Sequence, residues 1–207
     1  MARYYTDNIK DAQPRGPYLL SGYSFGGVVA FEMARQLQAA GEKVALLALL
    51  DSYTHPRNWP PLCRVGVLCA RIRYRASLLT RLPLKETIAY YNGRLRDITG
   101  TRRRHARGFA PSADQPPTAT QRVVDGCYVA WRQYRPSFYP GKITFLKGGR
   151  NWSYPQDPGN IWRGLADEFE MHIVPGEHQE LVGLAAEHLA RRISLCLEQT
   201  RELDVAR

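Results

Sequence analysis

A serine at position 24, an aspartate at 51 and a histidine at 178 are the residues of this chain best placed to move an acyl group. Ser24 lies in Gly22-Tyr23-Ser24-Phe25-Gly26, a G-x-S-x-G spacing. In that motif a strand turns sharply into a helix and lifts the serine hydroxyl clear of the backbone. The context fits: Tyr18-Leu19-Leu20 is a short apolar run, and Val28, Phe31, Ala34 and Leu37 recur behind the motif at helical spacing. In so tight a turn a side chain at Gly22 or Gly26 is expected to collide with the neighbouring strand or helix. Phe25, next after the serine, is expected to offer its backbone N–H to a developing oxyanion.

The elements that must position the other two residues follow from the same pattern. Gly41 stops the helix, and Val44-Ala45-Leu46-Leu47-Ala48-Leu49-Leu50 reads as a strand buried on both faces, ending at Asp51. Strand, helix and strand with short connections make a parallel unit, and its right-handed crossover brings Ser24 and Asp51 out side by side on one sheet edge. A later strand at 169–175 leads into Gly176-Glu177-His178 and a helical segment, which delivers His178 at the same edge. The chain order Ser, Asp, His is that of α/β-hydrolases. In such a set the histidine takes the serine proton, and the acid fixes the imidazole tautomer. Taken singly, each of the three has a plainer reading as a cap or turn residue. Asp157, in the loop after the strand at 142–147, competes with Asp51 for the place of the acid. His55, His105, His172 and His188 read as surface or structural, with His172 inside a strand and His188 inside a helix.

The run from Gly16 through Ser24 to Ala34 resembles the thioesterase domain that terminates nonribosomal peptide synthetases and polyketide synthases. So do Leu50-Asp51-Ser52-Tyr53, Tyr134 to Ile143, and Val174-Pro175-Gly176-Glu177-His178, with the loosest likeness across 56–125. The resemblance implies that Ser24, Asp51 and His178 act together, and it favours Asp51 over Asp157. It further implies a substrate held on the phosphopantetheine arm of an acyl or peptidyl carrier protein, or of an upstream synthetase module. The chain is then released from acyl-Ser24 by water or by an internal nucleophile. No cofactor of the enzyme's own is implied.

The expected fold is α/β: a mostly parallel sheet with helices on both faces. Strands are expected at 17–22, 43–50, 142–147 and 169–174, with helices at 26–40, 159–167 and 179–199. Tyr4, Tyr5, Ile9 and Ala12 fit one helix ahead of the first strand, and no strand fits before it. Against the resembled family the chain therefore reads as N-terminally incomplete, the C-terminal portion of one domain over 1–207. The elbow strand should then lie at an open sheet edge, where self-association is expected. A second oxyanion donor would be missing, a loss of roughly 10²–10³ in turnover. The segment of about 56–140, broken by Pro60-Pro61, Pro83, Pro111 and Pro116-Pro117, is expected to form a helical lid over the site.

Charge is concentrated in that insertion. Residues 56–125 hold 13 Arg and one Lys against four acids, a net of +10, which is the whole excess of the chain. A basic lid would steer an acidic carrier protein or an anionic acyl chain towards the site, although solvated helix faces are the plainer account. The cluster Arg102-Arg103-Arg104 with Arg107 has no nucleic-acid fold motif around it, so no nucleic-acid partner is expected. Cys63, Cys69, Cys127 and Cys196 lack metal or disulfide-framework spacing, which suits reduced thiols in the cytoplasm. No metal motif, Walker A loop, dinucleotide fingerprint, secretory h-region or membrane-spanning run is found. Besides a carrier-dependent thioesterase, two alternatives stay open. One is a stand-alone esterase or acyltransferase of the same fold, the other a non-catalytic or truncated remnant that keeps the three letters.

Overall fold

In the computed structural model, which describes residues 1–81, 118–149 and 154–205, the chain divides into two compact units, Met1–Val67 with Ala130–Arg207 and Leu68–Val129. The first unit is built on a four-stranded parallel sheet in the order β1 (Tyr18–Tyr23), β2 (Val44–Leu50), β3 (Tyr139–Lys147) and β4 (Ala166–Ile173). The expected α/β class is thus found, and among the described residues β1 is an outer strand with β2 as its one neighbour. Register aligns the strand ends: Tyr23 pairs with Leu50, Leu50 with Leu146, and Leu146 with His172. Residues one step beyond these positions therefore emerge along a single rim.

Both faces of the sheet are covered, and β2 shows why its sequence runs apolar without a break. Successive side chains of a strand point to opposite faces. Leu47 and Leu49 join one buried cluster with Tyr18, Leu20, Ile143 and Phe145, closed by Phe31, Ala34 and Leu37 of α2 (Phe25–Ala39). Leu46, Ala48 and Leu50 face the other way, onto Leu146, Val174 and Leu181 and onto Leu189 and Cys196 of the last helix. Trp162 is fully buried against Phe31, with ring centroids 5.0 Å apart, and its Nε1–H donates to the Ser52 carbonyl at 3.1 Å. Burying a large aromatic side chain together with its one polar atom satisfied is a strong local anchor.

The first helix, α1 (Ala2–Ala12), falls where the N-terminal pattern places it and packs by Ala2 and Ile9 against the α2 side of the core. Two helices differ from expectation. The segment expected to be helical over 159–167 is α5 (Gly159–Trp162) followed by a 3₁₀ turn, Arg163–Leu165. Ala166 is claimed by the sheet instead, paired with Tyr139. The last helix, α6 (Ala186–Val205), begins seven residues later than position 179, because 179–185 form turns closed on the Glu180 carbonyl by the N–H groups of Gly183 and Ala185.

Two further helices are α3 (Pro61–Arg81) and α4 (Ala119–Gln133). Leu68, Ile72, Val123 and Val124, in the second unit, have exposed side chains. Of the insertion, Arg102-Arg103-Arg104, Arg107 and His105 lie outside the described residues. The stretch after α4 is pinned to α2 within the first unit. Tyr134 Oη–H donates to Glu32 at 2.7 Å, and Arg35 and Gln36 donate to the same carboxylate. Burial pushes the Glu32 carboxyl up, but these three hydrogen bonds outweigh it and hold the group below its ordinary value.

Candidate active site

The rim of the sheet carries its hydrogen-bond ladder one step past each strand, and the residues at those steps are the ones with chemistry. The Ser24 N–H donates to the Leu50 carbonyl at 3.0 Å, and the Asp51 N–H to the Leu146 carbonyl at 2.8 Å. Both residues hold positive φ, 53° for Ser24 and 45° for Asp51, and they are the non-glycine residues that do so among those described. A left-handed backbone is unfavourable for a side chain and persists where the surroundings enforce it, which makes such positions functional candidates. Here the ladder bonds hold each backbone while its side chain is thrown outward over the rim.

The glycines of the elbow divide sharply. A Cβ on Gly22 would stand 2.3 Å from the Gly26 carbonyl oxygen, and one on Gly27 would stand 2.5 Å from the Ser52 side chain. Gly26 has nothing within 4 Å of the same imaginary atom, so the collision expected there does not occur. The reason is direction: Gly26 sits on the open side of the first turn of α2, while Gly22 and Gly27 face each other where strand and helix cross. Phe25 is the first residue of α2, and its N–H is among those that a helix N-terminus leaves without an internal partner.

His178 arrives from the other end of the chain. β4 continues its bonding through Val174, whose N–H donates to the Lys147 carbonyl at 2.8 Å. The chain then turns at Gly176, with φ of 96°, and reaches His178. Its Nδ1–H donates to Asp51 Oδ2 at 2.7 Å, and its Nε2 lies 3.1 Å from Ser24 Oγ. A carboxylate on the Nδ1 side fixes the proton there and leaves Nε2 free to accept from the serine hydroxyl. The Asp51 side chain is 2% exposed and that of His178 22% exposed, so the acid is sealed while the base reaches solvent.

Asp51 has two further donors. Tyr53 Oη–H reaches Oδ1 at 3.1 Å, and the Gly148 N–H approaches the same oxygen at 3.4 Å. Burial, and then the Asp51 charge, push the Tyr53 phenol far above its ordinary value, so it stays a donor. Asp157 is engaged elsewhere. Its Oδ1 accepts from the Gly159 N–H at 2.8 Å and its Oδ2 from Arg163 at 3.1 Å, which ties it to the α5 segment. His172 sits on β4 and His188 on α6, while His55 packs edge-on against Trp131. No sequence motif marks Tyr53 or Tyr23 for the site. The only available signal was adjacency, since Tyr23 directly precedes Ser24 and Tyr53 follows Asp51 by two positions.

A serine, a base and a sealed acid in hydrogen-bond contact are a set that can form an acyl-enzyme. The family model for the thioesterase domain matches residues 1–66. Malpibaldin synthetase of Mortierella alpina is 54% identical over 180 residues, 86% of this chain and 3% of the synthetase. N-(5-amino-5-carboxypentanoyl)-L-cysteinyl-D-valine synthase of Amycolatopsis lactamdurans is 51% identical over 53 residues, 26% of this chain and 2% of the relative. The chain is a relative of the thioesterase domains of such synthetases. The solved thioesterase domain of NocB, in covalent complex with a fluorophosphonate nocardicin G analog, superposes with a TM-score of 0.59 at 25% identity, covering 95% of this chain and 72% of that one. The surfactin thioesterase domain shares the fold, with a TM-score of 0.55 at 19% identity over 95% of this chain and 72% of that one. This thioesterase relative thus spans a few per cent of the curated synthetases it matches. Among its described residues no helix is long and apolar enough to cross a membrane, and no group of three His, Cys, Asp or Glu could hold a metal ion.

Proposed function

We propose that this chain is a serine thioesterase that takes an acyl or peptidyl group from the phosphopantetheine arm of a carrier protein and releases it through an acyl-Ser24 intermediate. The observation that carries the reading is the continuous contact from Ser24 Oγ through His178 to Asp51, with the acid sealed and the base open. As Oγ attacks the thioester carbonyl, its proton passes to His178 Nε2, and Asp51 balances the imidazolium charge. The oxyanion is set against the Phe25 N–H at the N-terminus of α2, where the helix dipole adds to the hydrogen bond. The C–S bond then breaks, the departing thiolate takes the proton from Nε2, and the acyl group remains on Ser24. A water, or a hydroxyl or amine of the bound chain itself, gives its proton to His178 and attacks the ester. Oγ leaves and recovers that proton. The carrier protein or upstream module is the partner in this reading, and the cytoplasm, with its reduced thiols, is the compartment.

The test is labelling of the folded protein with a fluorophosphonate, alongside turnover of an acyl-pantetheine thioester. Ser24 is expected to carry the adduct and Ser24→Ala to abolish both signals. Folded protein that gives no adduct at Ser24 overturns the reading. Turnover of simple nitrophenyl esters but not of carrier-bound thioesters replaces it with a stand-alone esterase.

A further inference from the structure

The residue before the nucleophile reaches across the rim to the base. Tyr23 closes β1, and its Oη–H donates to the backbone carbonyl of His178 at 2.6 Å, a contact spanning 155 positions of sequence. Its ring lies against the imidazole, with centroids 4.8 Å apart and planes at 25°. Tyr23 is therefore bound to His178 twice, once to the backbone and once to the ring face. Burial, and then the Asp51 charge, raise its phenol above the ordinary value, which keeps the hydroxyl a donor across the working pH range.

We propose that Tyr23 is a positioning residue which holds His178 in register with Ser24 and stabilises its imidazolium form, an inference that rests on the thioesterase reading. The mechanical half of the argument starts from the loop. Between Val174 and His178 the chain passes through Pro175, Gly176 at positive φ and Glu177, so β4 alone does not fix the imidazole. Glu177 is tied within its own loop, its N–H donating to Glu180 Oε2 at 2.8 Å. The Tyr23 hydroxyl instead links the histidine's own backbone to the strand that carries the serine. Ser24 follows Tyr23 directly, and its N–H is held by β2. Nucleophile and base thus share one rigid support, which keeps a 3.1 Å contact from drifting.

The electrostatic half concerns the charge that forms on the ring. Asp51 meets the imidazole at its edge through Nδ1, Ser24 meets it at Nε2, and Tyr23 covers a face. Tyr154, a neutral phenol, stands further off at 6.5 Å between centroids. An aromatic face attracts a cation through its quadrupole, so the Tyr23 ring favours protonated over neutral histidine. Asp51 supplies the charge balance in the plane and Tyr23 adds to it from above.

Two substitutions separate the halves. Tyr23→Phe keeps the stacked ring and removes the hydroxyl, and amide hydrogen exchange at Glu177–Gln179 is expected to quicken about tenfold, the factor that a net hydrogen bond of ordinary strength contributes. Tyr23→Leu removes the ring as well, and kcat on an acyl-pantetheine thioester is expected to fall about threefold below that of Tyr23→Phe at unchanged KM, the equivalent of a modest cation–π contact. Unchanged exchange in Tyr23→Phe, or equal kcat in the two variants, overturns the assignment. Loss of fluorophosphonate labelling in the wild-type protein, with the change in exchange still present, would sink the thioesterase reading alone.

Discussion

Tyr53 and Asp51, two positions apart, meet side chain to side chain at 3.1 Å, so the acid's Oδ1 is held by a phenol while its Oδ2 faces His178. A buried carboxylate with both oxygens engaged is held against rotation. Removing the phenolic hydroxyl in Tyr53→Phe leaves Oδ1 with the 3.4 Å approach of Gly148 N–H alone. A hydrogen bond to a charged group contributes about 1.5–3 kcal/mol, so kcat is expected to fall about tenfold or more. A kcat equal to that of wild type would remove Tyr53 from the site.

The two aspartates that the sequence leaves in competition differ in what they touch, and substitution should separate them cleanly. Asp51→Asn keeps the shape but can present an amide N–H to His178 and so select the wrong tautomer, a change associated with about 10⁴ in kcat. Asp157→Asn removes the charge from a half-exposed pair with Arg163, and exposed pairs contribute about 0–1 kcal/mol to stability. Turnover and thermal melting of both variants check this. Asp157→Asn should lose a little stability and keep activity within a few-fold of wild type.

The sheet class, the edge position of β1 beside β2 and the convergence of Ser24, Asp51 and His178 were legible in the sequence, because each depends on short-range pattern plus one topological rule. β2 announces itself by seven apolar residues, and the right-handed crossover fixes which edge carries Asp51. Gly26 departs from expectation because the motif orders its glycines by spacing, while crowding depends on which way each faces; Gly22 inside the motif and Gly27 outside it are the crowded ones. The late start of α6 was missed because Gln179 to Ala185 fits a helical apolar pattern, yet Gly183 and the turn on Glu180 hold it apart. Tyr23 and Tyr53 were invisible for a different reason. Their partners are either 155 positions away or set by how a strand end is bonded, and neither leaves a periodic trace.

The glycine contrast gives a stability prediction with opposite signs in one turn. Gly22→Ala places a methyl group 2.3 Å from a backbone oxygen, which cannot move without parting β1 from α2. Overpacking of this kind costs about 1–3 kcal/mol or more, and loss of soluble folded protein is expected. Gly26→Ala fills open space in the first turn of a helix and should leave stability equal or raise it by up to about 1 kcal/mol. Urea midpoints of the wild type and the Gly26 variant, with soluble yield for Gly22, read out the difference. A destabilised Gly26→Ala would show that the elbow is crowded after all.

His55 provides a pH-dependent test of the first unit that is independent of turnover. Burial, and then the charges of Arg57, Arg132 and Arg135, hold its imidazole below the ordinary value of 6.5. The two arginines flanking it approach one acceptor, with Arg57 Nη1 and Arg135 Nη1 each 3.4 Å from the Arg132 carbonyl oxygen. With the folded value below the unfolded one, the unfolded chain takes up the proton first as acid is added. The contribution to stability is therefore complete above pH 6.5 and is lost as the pH falls through the folded value. Melting temperature should decline between about pH 7 and pH 5 more steeply in wild type than in His55→Asn, which keeps a side-chain acceptor for the Arg57 N–H but cannot titrate there. Parallel curves for the two proteins would mean that His55 takes up its proton in the folded state as readily as in the unfolded chain.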